Sequence, residues 1–343
     1  MALKHPILAG NARIKQAAEN SPPLAQGETG TGVSLLQAAL LDLGYKLPTS
    51  LRKTGAPDGI FGSETHSVVM EFQRKESLAK KDGIAGRDTL ERIDARLLAA
   101  SPPKIPVPAS VLPPSTSEYQ IGSADPAIRH DAGAGPWNSR PKTALALVQR
   151  ECVLEILPPR GVSAGILIGE DAARHMKYYL DGSGRPLIID LESMVRNVPS
   201  ARKRFLNEVS QAKTFVEALP AGTHAITSKR GEGGYNSKSE STNWFFAIGG
   251  YTSWGRGSAK ITRGAPLREY ELAFEYRFYD RYNWDAGKKV TIAGVVVSDE
   301  FMGEFHLQGL AQEFDCVGSI KRTFTWKQGQ PIPAVQLQGP GGR

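Results

Sequence analysis

The sequence predicts a multidomain chain, with a three-helix all-α domain at the N-terminus and an α+β domain with an antiparallel sheet at the C-terminus. Three observations carry this prediction. The frame D-G-I-x-G-x-x-T occurs twice, at Asp58 to Thr65 and at Asp82 to Thr89. Six prolines, from Pro102 to Pro114, then interrupt the chain. Further on, Tyr270, Leu272, Phe274, Tyr276 and Phe278 alternate with Glu271, Glu275 and Arg277, the period of a half-buried strand. These features divide the chain into a helical domain at 1–100, a Pro-rich, extended linker at 101–120, an α+β domain at 121–330 and a Gln-, Pro- and Gly-rich tail at 331–343 that reads as disordered.

Leu3 to Ala18 reads as a short helix, and Ser21-Pro22-Pro23 breaks it from the repeats. Val33, Leu36, Leu40 and Leu43 fall at helical spacing and stop at Gly44, a C-terminal cap. In each copy of the frame, Asp-Gly starts a turn and the apolar Ile plugs the core. The second Gly takes a φ that other residues resist, and Thr lies in the first turn of the next helix. Val68, Val69 and Phe72 line the helix between the copies.

Val33, Leu36, Gln37, Leu40, Leu43, Gly44 and Tyr45, then Asp58, Gly59, Phe61, Gly62, Thr65, Val69, Phe72 and Gln73, then Asp82, Gly83, Gly86, Thr89 and Leu90 stand in one register. This layout resembles the small peptidoglycan-binding domain that accompanies bacterial cell-wall enzymes. The resemblance implies a three-helix fold and peptidoglycan as partner, with Tyr45, Asp58, Gly59, Phe61, Gly62, Thr65, Phe72, Gln73, Asp82 and Gly83 as binding positions. The run Pro48 to Pro57 departs from the pattern by lengthening the turn before the first Asp-Gly.

With 40% hydrophobic and 22% charged residues the chain reads as globular. Its net charge of +7 is spread as +2 over residues 1–100 and +5 over the rest, with no basic stripe, which argues against nucleic acid as partner. Met1 to Gln16 lacks the apolar run and cleavage site of a Sec signal, and no run of about 18 apolar residues offers a transmembrane helix. A wall-binding protein of this kind is expected to leave the cell by lysis, in a phage particle or through a specialised machine such as type VI secretion. It would then act in the periplasm or cell wall of a target bacterium. Cys152 and Cys316 sit in apolar stretches and read as buried thiols.

In the second half, Ala144 to Leu157 and Arg202 to Leu219 are helices by their apolar spacing, and Pro220 ends the latter. Gly161 to Ile168 and Pro186 to Leu191 are short strands or helix starts. Trp244 to Tyr251 reads as an aromatic strand, and Val290 to Val297 as a further strand after an Asn283 to Gly287 turn. Ser298-Asp299 caps a helix running through Phe301, Phe305, Leu310 and Phe314, and Lys321 to Trp326 is the last strand.

The richest chemistry lies in Phe278 to Asp285, where two carboxylates, an Arg, an Asn and three aromatics meet at a strand end. Aromatics stack on sugar rings, and paired carboxylates serve as acid and base. Asp280, Asp285, Glu304 and His306 are the candidate catalytic residues, with Glu313 facing the same turn. A second candidate is the loop Gly231 to Asn243, with Lys229, Arg230 and Lys238 placed to grip an anionic group. No H-E-x-x-H or compact His/Asp grouping is present, so neither a metal site nor any other cofactor is assigned. Cys152 lacks the exposed helix-start position of a thiol nucleophile.

Glu271 and Asp280 have a separation used by some phage-type lysozymes, but no Thr follows to complete that pattern. Asp280-Arg281-Tyr282-Asn283 resembles the Asp, Tyr, Asp cluster of colicin M-type toxins, which cut the lipid-linked wall precursor; Asn283 replaces the second Asp, and no His-Arg pair follows closely. Trp244 to Trp326 also resembles uncharacterised effector-like domains. The expected function is a peptidoglycan-binding antibacterial effector or lysin-like protein whose second domain hydrolyses the wall or its precursor, with secretion machinery and an immunity protein as further partners. The rival is a non-enzymatic wall-binding component of a phage or secretion machine.

Overall fold

The computed structural model describes residues 3–52, 56–100, 119–128, 133–156, 168–263, 267–284, 289–292 and 295–332. Residues 101–118 of the linker, the tail from 333, most of Gly161 to Ile168 and Asp285 lie outside them.

The N-terminal region is helical. The single helix expected over Leu3 to Ala18 is two, α1 (Pro6–Gly10) and α2 (Ala12–Ala18), because Asn11 turns extended and its side chain caps the second by accepting from Ile14 N–H. The helices α3 (Thr31–Asp42), α4 (Ser63–Lys75) and α5 (Arg87–Ala100) follow, α3 ending before Gly44 at φ +88°. Their apolar faces join α1 and α2 in one cluster around Leu36, Leu40, Phe61, Val69, Phe72 and Leu90.

A buried glutamine explains the repeated frame. Gln37 of α3 donates to Asp58 Oδ1 (2.8 Å), the Ile60 carbonyl (3.0 Å) and Thr65 Oγ1 (3.0 Å), and accepts from Gly59 N–H (2.9 Å). Gln73 of α4 makes the same four bonds to Asp82, Ile84, Thr89 and Gly83. It is the first glycine of each frame and not the second that needs the special φ: Gly59 at φ +77° and Gly83 at φ +71° take the left-handed conformation that aims their N–H inward, whereas Gly62 has an ordinary φ of −85°. The plug is therefore the residue after the isoleucine: Phe61 and Ala85 are fully buried, whereas Ile60 gives its carbonyl to Gln37 and leaves its side chain 52% exposed.

The C-terminal region comprises β1 (Tyr119–Ile121), α6 (Ala144–Ile156), α7 (Glu170–Asp181), β2 (Leu187–Ile188), α8 (Leu191–Asn197), α9 (Pro199–Ala218), β3 (Gly222–Ser228), β4 (Glu232–Tyr235), α10 (Thr242–Ala247), β5 (Gly250–Thr262), β6 (Glu269–Tyr282), β7 (Lys289–Ile292), β8 (Val295–Ser298), α11 (Asp299–Leu307) and β9 (Phe314–Lys327). The main sheet runs β1-β3-β5-β6-β9-β2, with β4 also pairing β5. All these pairings are antiparallel except the short β2–β9 contact. The strands β7 and β8 form a separate hairpin, so the single strand expected over Val290 to Val297 is two.

The alternation read over Tyr270 to Asp280 holds as far as Phe278, after which Tyr279 is buried as well and Asp280 is half-buried, and the helix α9 packs on the inner face of β6, with Phe205 5.1 Å from the Tyr276 ring. The expected strand over Trp244 to Tyr251 is corrected: Ser241 Oγ accepts from Trp244 N–H and caps α10, whose Trp244 and Ala247 face the core at helical spacing. Gly249 at φ +57° then hands over to β5. The helix opened by Asp299 ends at Leu307, since Gly309 takes φ +64° and Phe314 opens β9. The glycine-rich loop from Gly231 begins as the short strand β4, paired to β5, and continues as a turn up to α10.

A carboxylate ties this sheet to its covering helix. Glu208 of α9, 1% exposed, accepts from Tyr119 O–H (2.9 Å), Ser228 O–H (2.5 Å) and Gly255 N–H (3.0 Å). Gly255 is required there, because a Cβ would lie 1.9 Å from the Tyr119 hydroxyl.

The helix α6 belongs to the helical cluster as well as to its own sequence region. Leu145, Val148 and Cys152 pack into the N-terminal core. Asp42, at the end of α3, accepts from Ala144 N–H (2.6 Å) and Leu145 N–H (2.9 Å), so one region caps a helix of the other. Burial raises the Asp42 pKa, and the two N–H donors oppose that shift. Both cysteines are buried free thiols.

Replacing Gln73 by Ala strands the buried Gly83 N–H and removes the donor to three acceptors, and is expected to destabilise the helical region by about 3 kcal/mol. Urea denaturation of the full chain, followed by far-UV circular dichroism, measures this; a loss below about 1 kcal/mol would make the glutamine dispensable.

Candidate functional site at the end of the central strand

The strand β6 sends even-numbered residues to the helix-covered face. Asp280 is thus the polar end of the row Leu272, Phe274, Tyr276, Phe278, half-buried and opposite Cys316 of β9 in register. Tyr282 follows on the same face, stacked on Phe314 at 5.0 Å. Burial first raises the pKa of both the Cys316 thiol and the Tyr282 hydroxyl; the Asp280 charge comes next at Cys316, and at Tyr282 it follows Cys316 itself. Asp299, at the start of α11, adds to the same effect on Tyr282, so two carboxylates bear on one phenol.

The helix α7 brings Arg174 and His175 to this end of the sheet. His175 is fully buried, with its ring 5.8 Å from Tyr282 and 6.3 Å from Phe314. Its Nδ1 lies 2.7 Å from the Asp171 carbonyl, which can only accept, so Nδ1 carries the hydrogen and Nε2 is a bare acceptor with no partner among the described residues. Desolvation lowers the His175 pKa from 6.5 to about 4. Arg174 holds Asp171 at 3.4 Å, while its Nε is buried without a hydrogen-bond partner.

His306 and Glu313 form an adjoining cluster. His306 Nδ1 accepts from Glu313 N–H (3.1 Å) and Nε2 donates to the Gly135 carbonyl (2.9 Å), which fixes the tautomer. The Glu313 carboxylate, completely buried, accepts from Ala134 N–H (2.8 Å) and Trp284 N–H (3.3 Å) and stands 3.6 Å from Arg281. Arg281 also binds Asp315 (3.2 Å), to which Tyr279 donates (3.0 Å).

The four catalytic candidates therefore separate. Asp280 lies at the strand end, and His306 is beside it in the Glu313 cluster. Glu304 turns away from His306 into an ion pair with Arg140, as two residues two apart on a helix must diverge. Asp285 lies outside the described residues. Arg174, His175 and Asp299 have no distinguishing motif; only the packing of α7 and α11 against the sheet end brings them in. Among the described residues no group of three or more His, Cys, Asp or Glu side chains could hold a metal ion.

Of the positions assigned to wall binding, Phe61, Thr65, Phe72 and Gln73 are buried, and Asp58, Gly59, Asp82 and Gly83 hold the turns through the glutamines. Gly62 precedes α4 as its cap residue. Tyr45 reaches the surface in part, edge-on to Phe72 at 5.8 Å with Lys75 4.8 Å over its ring.

Residues 29–93 match the family described as "Putative peptidoglycan binding domain". Two curated relatives share a similar stretch. The N-acetylmuramoyl-L-alanine amidase CwlM of Mycobacterium tuberculosis is 41% identical over 76 residues, 21% of this chain and 17% of that protein. The type VI secretion system spike protein VgrG3 of Vibrio cholerae is 35% identical over 107 residues, 28% of this chain and 10% of that protein. The chain thus spans less than a fifth of either relative. Among solved structures, PaeM, a colicin M-like bacteriocin of Pseudomonas aeruginosa, aligns over 88% of this chain and 82% of its own at 12% identity and a TM-score of 0.28, too low for the fold of one to speak for the other. No described helix is long and apolar enough to cross a membrane.

His175 sets a pH dependence. Its folded pKa lies below the unfolded value, so the unfolded chain takes up a proton first as pH falls. Its neutral form therefore supports the fold fully above pH 6.5, and that support declines towards pH 4, by about 3 kcal/mol in total. Urea titrations from pH 7 to 4 should show this slope, and His175→Asn, whose amide can keep the bond to Asp171, should flatten it.

Proposed function

We propose that this chain is a peptidoglycan-anchored antibacterial effector or lysin-like protein whose C-terminal domain hydrolyses the bacterial wall or its precursor. The observation that carries this reading is the joining, in one chain, of a peptidoglycan-binding match at 29–93 to a separate sheet whose central strand ends in a carboxylate. A strand that spends buried positions on Phe274, Tyr276 and Phe278 and then places Asp280 on the same face keeps a charge where packing alone would favour another apolar residue. In the proposed chemistry Asp280 is the general base or acid, Asp299, whose charge also bears on Tyr282, its counterpart, and Arg174 the cation that steadies developing negative charge. Tethering to the polymer raises the local concentration of bonds to be cut.

Hydrolysis of the lipid-linked precursor is the more specific form of this reading. It is supported by the run Asp280-Arg281-Tyr282-Asn283 and by Arg174 and His175, which supply from α7 an Arg-His pair that the sequence after Asn283 lacks. The non-enzymatic alternative, a wall-binding part of a secretion machine, draws on the similarity to a spike protein. Delivery by such a machine and a cognate immunity protein belong to the effector reading.

Purified chain incubated with sacculi, and separately with lipid-linked precursor, should release soluble fragments whose masses name the bond cut. Asp280→Asn is expected to lower release by at least about 100-fold with an unchanged melting curve, the range of a lost general acid or base. No release from either substrate by the unaltered chain would leave the non-enzymatic reading.

A further inference from the structure

The two turns are bonded alike and covered differently. Seven residues before Gln73 stands His66, whose Nε2 lies 3.1 Å from the Asp82 carbonyl oxygen; a Cβ on Gly83 would meet that ring at 2.4 Å. Seven residues before Gln37 stands Gly30, whose carbonyl lies over Gly59, and the side chain that covers this turn is Ser34, whose hydroxyl a Cβ on Gly59 would meet at 2.5 Å. A small hydroxyl therefore covers the first turn where an imidazole ring covers the second.

Beside the first turn lies a pocket of about 220 Å³, which Ser34 also lines. Thr29, Thr31 and Asp58 line it from the turn, Arg52 from the inserted run Pro48 to Pro57, and Glu151 and Glu155 from α6. Three carboxylates line it with one guanidinium: Glu151 engages Arg52 at 3.5 Å, Asp58 Oδ1 accepts from Gln37 and from Ile60 N–H and leaves Oδ2 to the pocket, and Glu155 is exposed. Ile60, 52% exposed, adds an apolar edge. Both α6 glutamates act on the Cys152 thiol between them, which burial first and their charges next push up to about 11.

We propose that this pocket, built jointly by the first repeat turn and α6, is a subsite for the amine-bearing stem peptide of peptidoglycan. The inference rests on the reading of residues 29–93 as wall-binding and names the part of the wall bound. Excess carboxylate selects an ammonium group and disfavours phosphate or a carboxylate-only ligand. The threonine hydroxyls bond peptide amides, and Ile60 meets an alanine methyl. The volume falls short of the roughly 300 Å³ and more of ordinary ligand pockets, which suits a peptide end better than a disaccharide. Because α6 supplies two of the carboxylates, the N-terminal region alone would hold an incomplete site.

The test is calorimetric titration of the full chain with the soluble tripeptide L-Ala-γ-D-Glu-meso-diaminopimelate, against the same peptide acetylated on its side-chain amine, with co-sedimentation on sacculi in parallel. Binding of the free amine, weakened by about tenfold or more on acetylation and in Glu151→Gln/Glu155→Gln, supports the subsite. Should that variant melt differently, Thr31→Val, which leaves α6 untouched, must weaken binding instead. Equal binding by the correctly folded variants overturns the proposal. So does absence of peptide binding by a chain that pellets with sacculi, which leaves wall binding intact; a chain that does neither overturns both readings.

Discussion

The two-residue period of β6 is the constraint on which the C-terminal region turns. Fourteen residues cross the middle of the sheet, and every even position from Tyr270 to Tyr282 must enter the space under the helices. Apolar side chains meet that demand as far as Phe278. Asp280 meets it with a carboxylate, and its surroundings answer: a phenol and a thiol whose ionisation it opposes, an arginine on α7, and a second carboxylate at the start of α11. A one-residue slip of register would put Asp280 in solvent and Arg281 inside, so pairing with β5 and β9 fixes the chemistry of the site as firmly as it fixes the sheet.

In the N-terminal region the corresponding economy is the buried glutamine. One amide satisfies a turn carboxylate, a backbone carbonyl, a threonine hydroxyl and a glycine N–H, and the chain uses it twice. Buried polar groups are costly unless fully bonded, so the whole frame must appear together or not at all. This is why so many of the positions that carry the resemblance prove to be architectural.

The two regions are joined by more than a linker. The carboxylate of Asp42 caps α6, and Leu145, Val148 and Cys152 of that helix complete the N-terminal cluster. A wall anchor that hung freely would only concentrate its partner domain; one that shares a helix with it also limits the directions that domain can face.

The sequence by itself determined the elements whose signals are local. The D-G-I-x-G-x-x-T turns, the helices they launch, the alternation of β6 and the helix ended by Pro220 depend on neighbours within a few residues, and they were legible for that reason. Asp280 was singled out by the crowding of charge and aromatics at a strand end. Tertiary structure decided what depends on distant partners. Ser241 turned an aromatic run into a helix, Arg140 drew Glu304 away from His306, and α7 delivered Arg174 and His175 from a hundred residues upstream of Tyr282. None of these leaves a pattern in the sequence, because a side chain's partner across a sheet is set by the packing of whole elements rather than by the residues beside it.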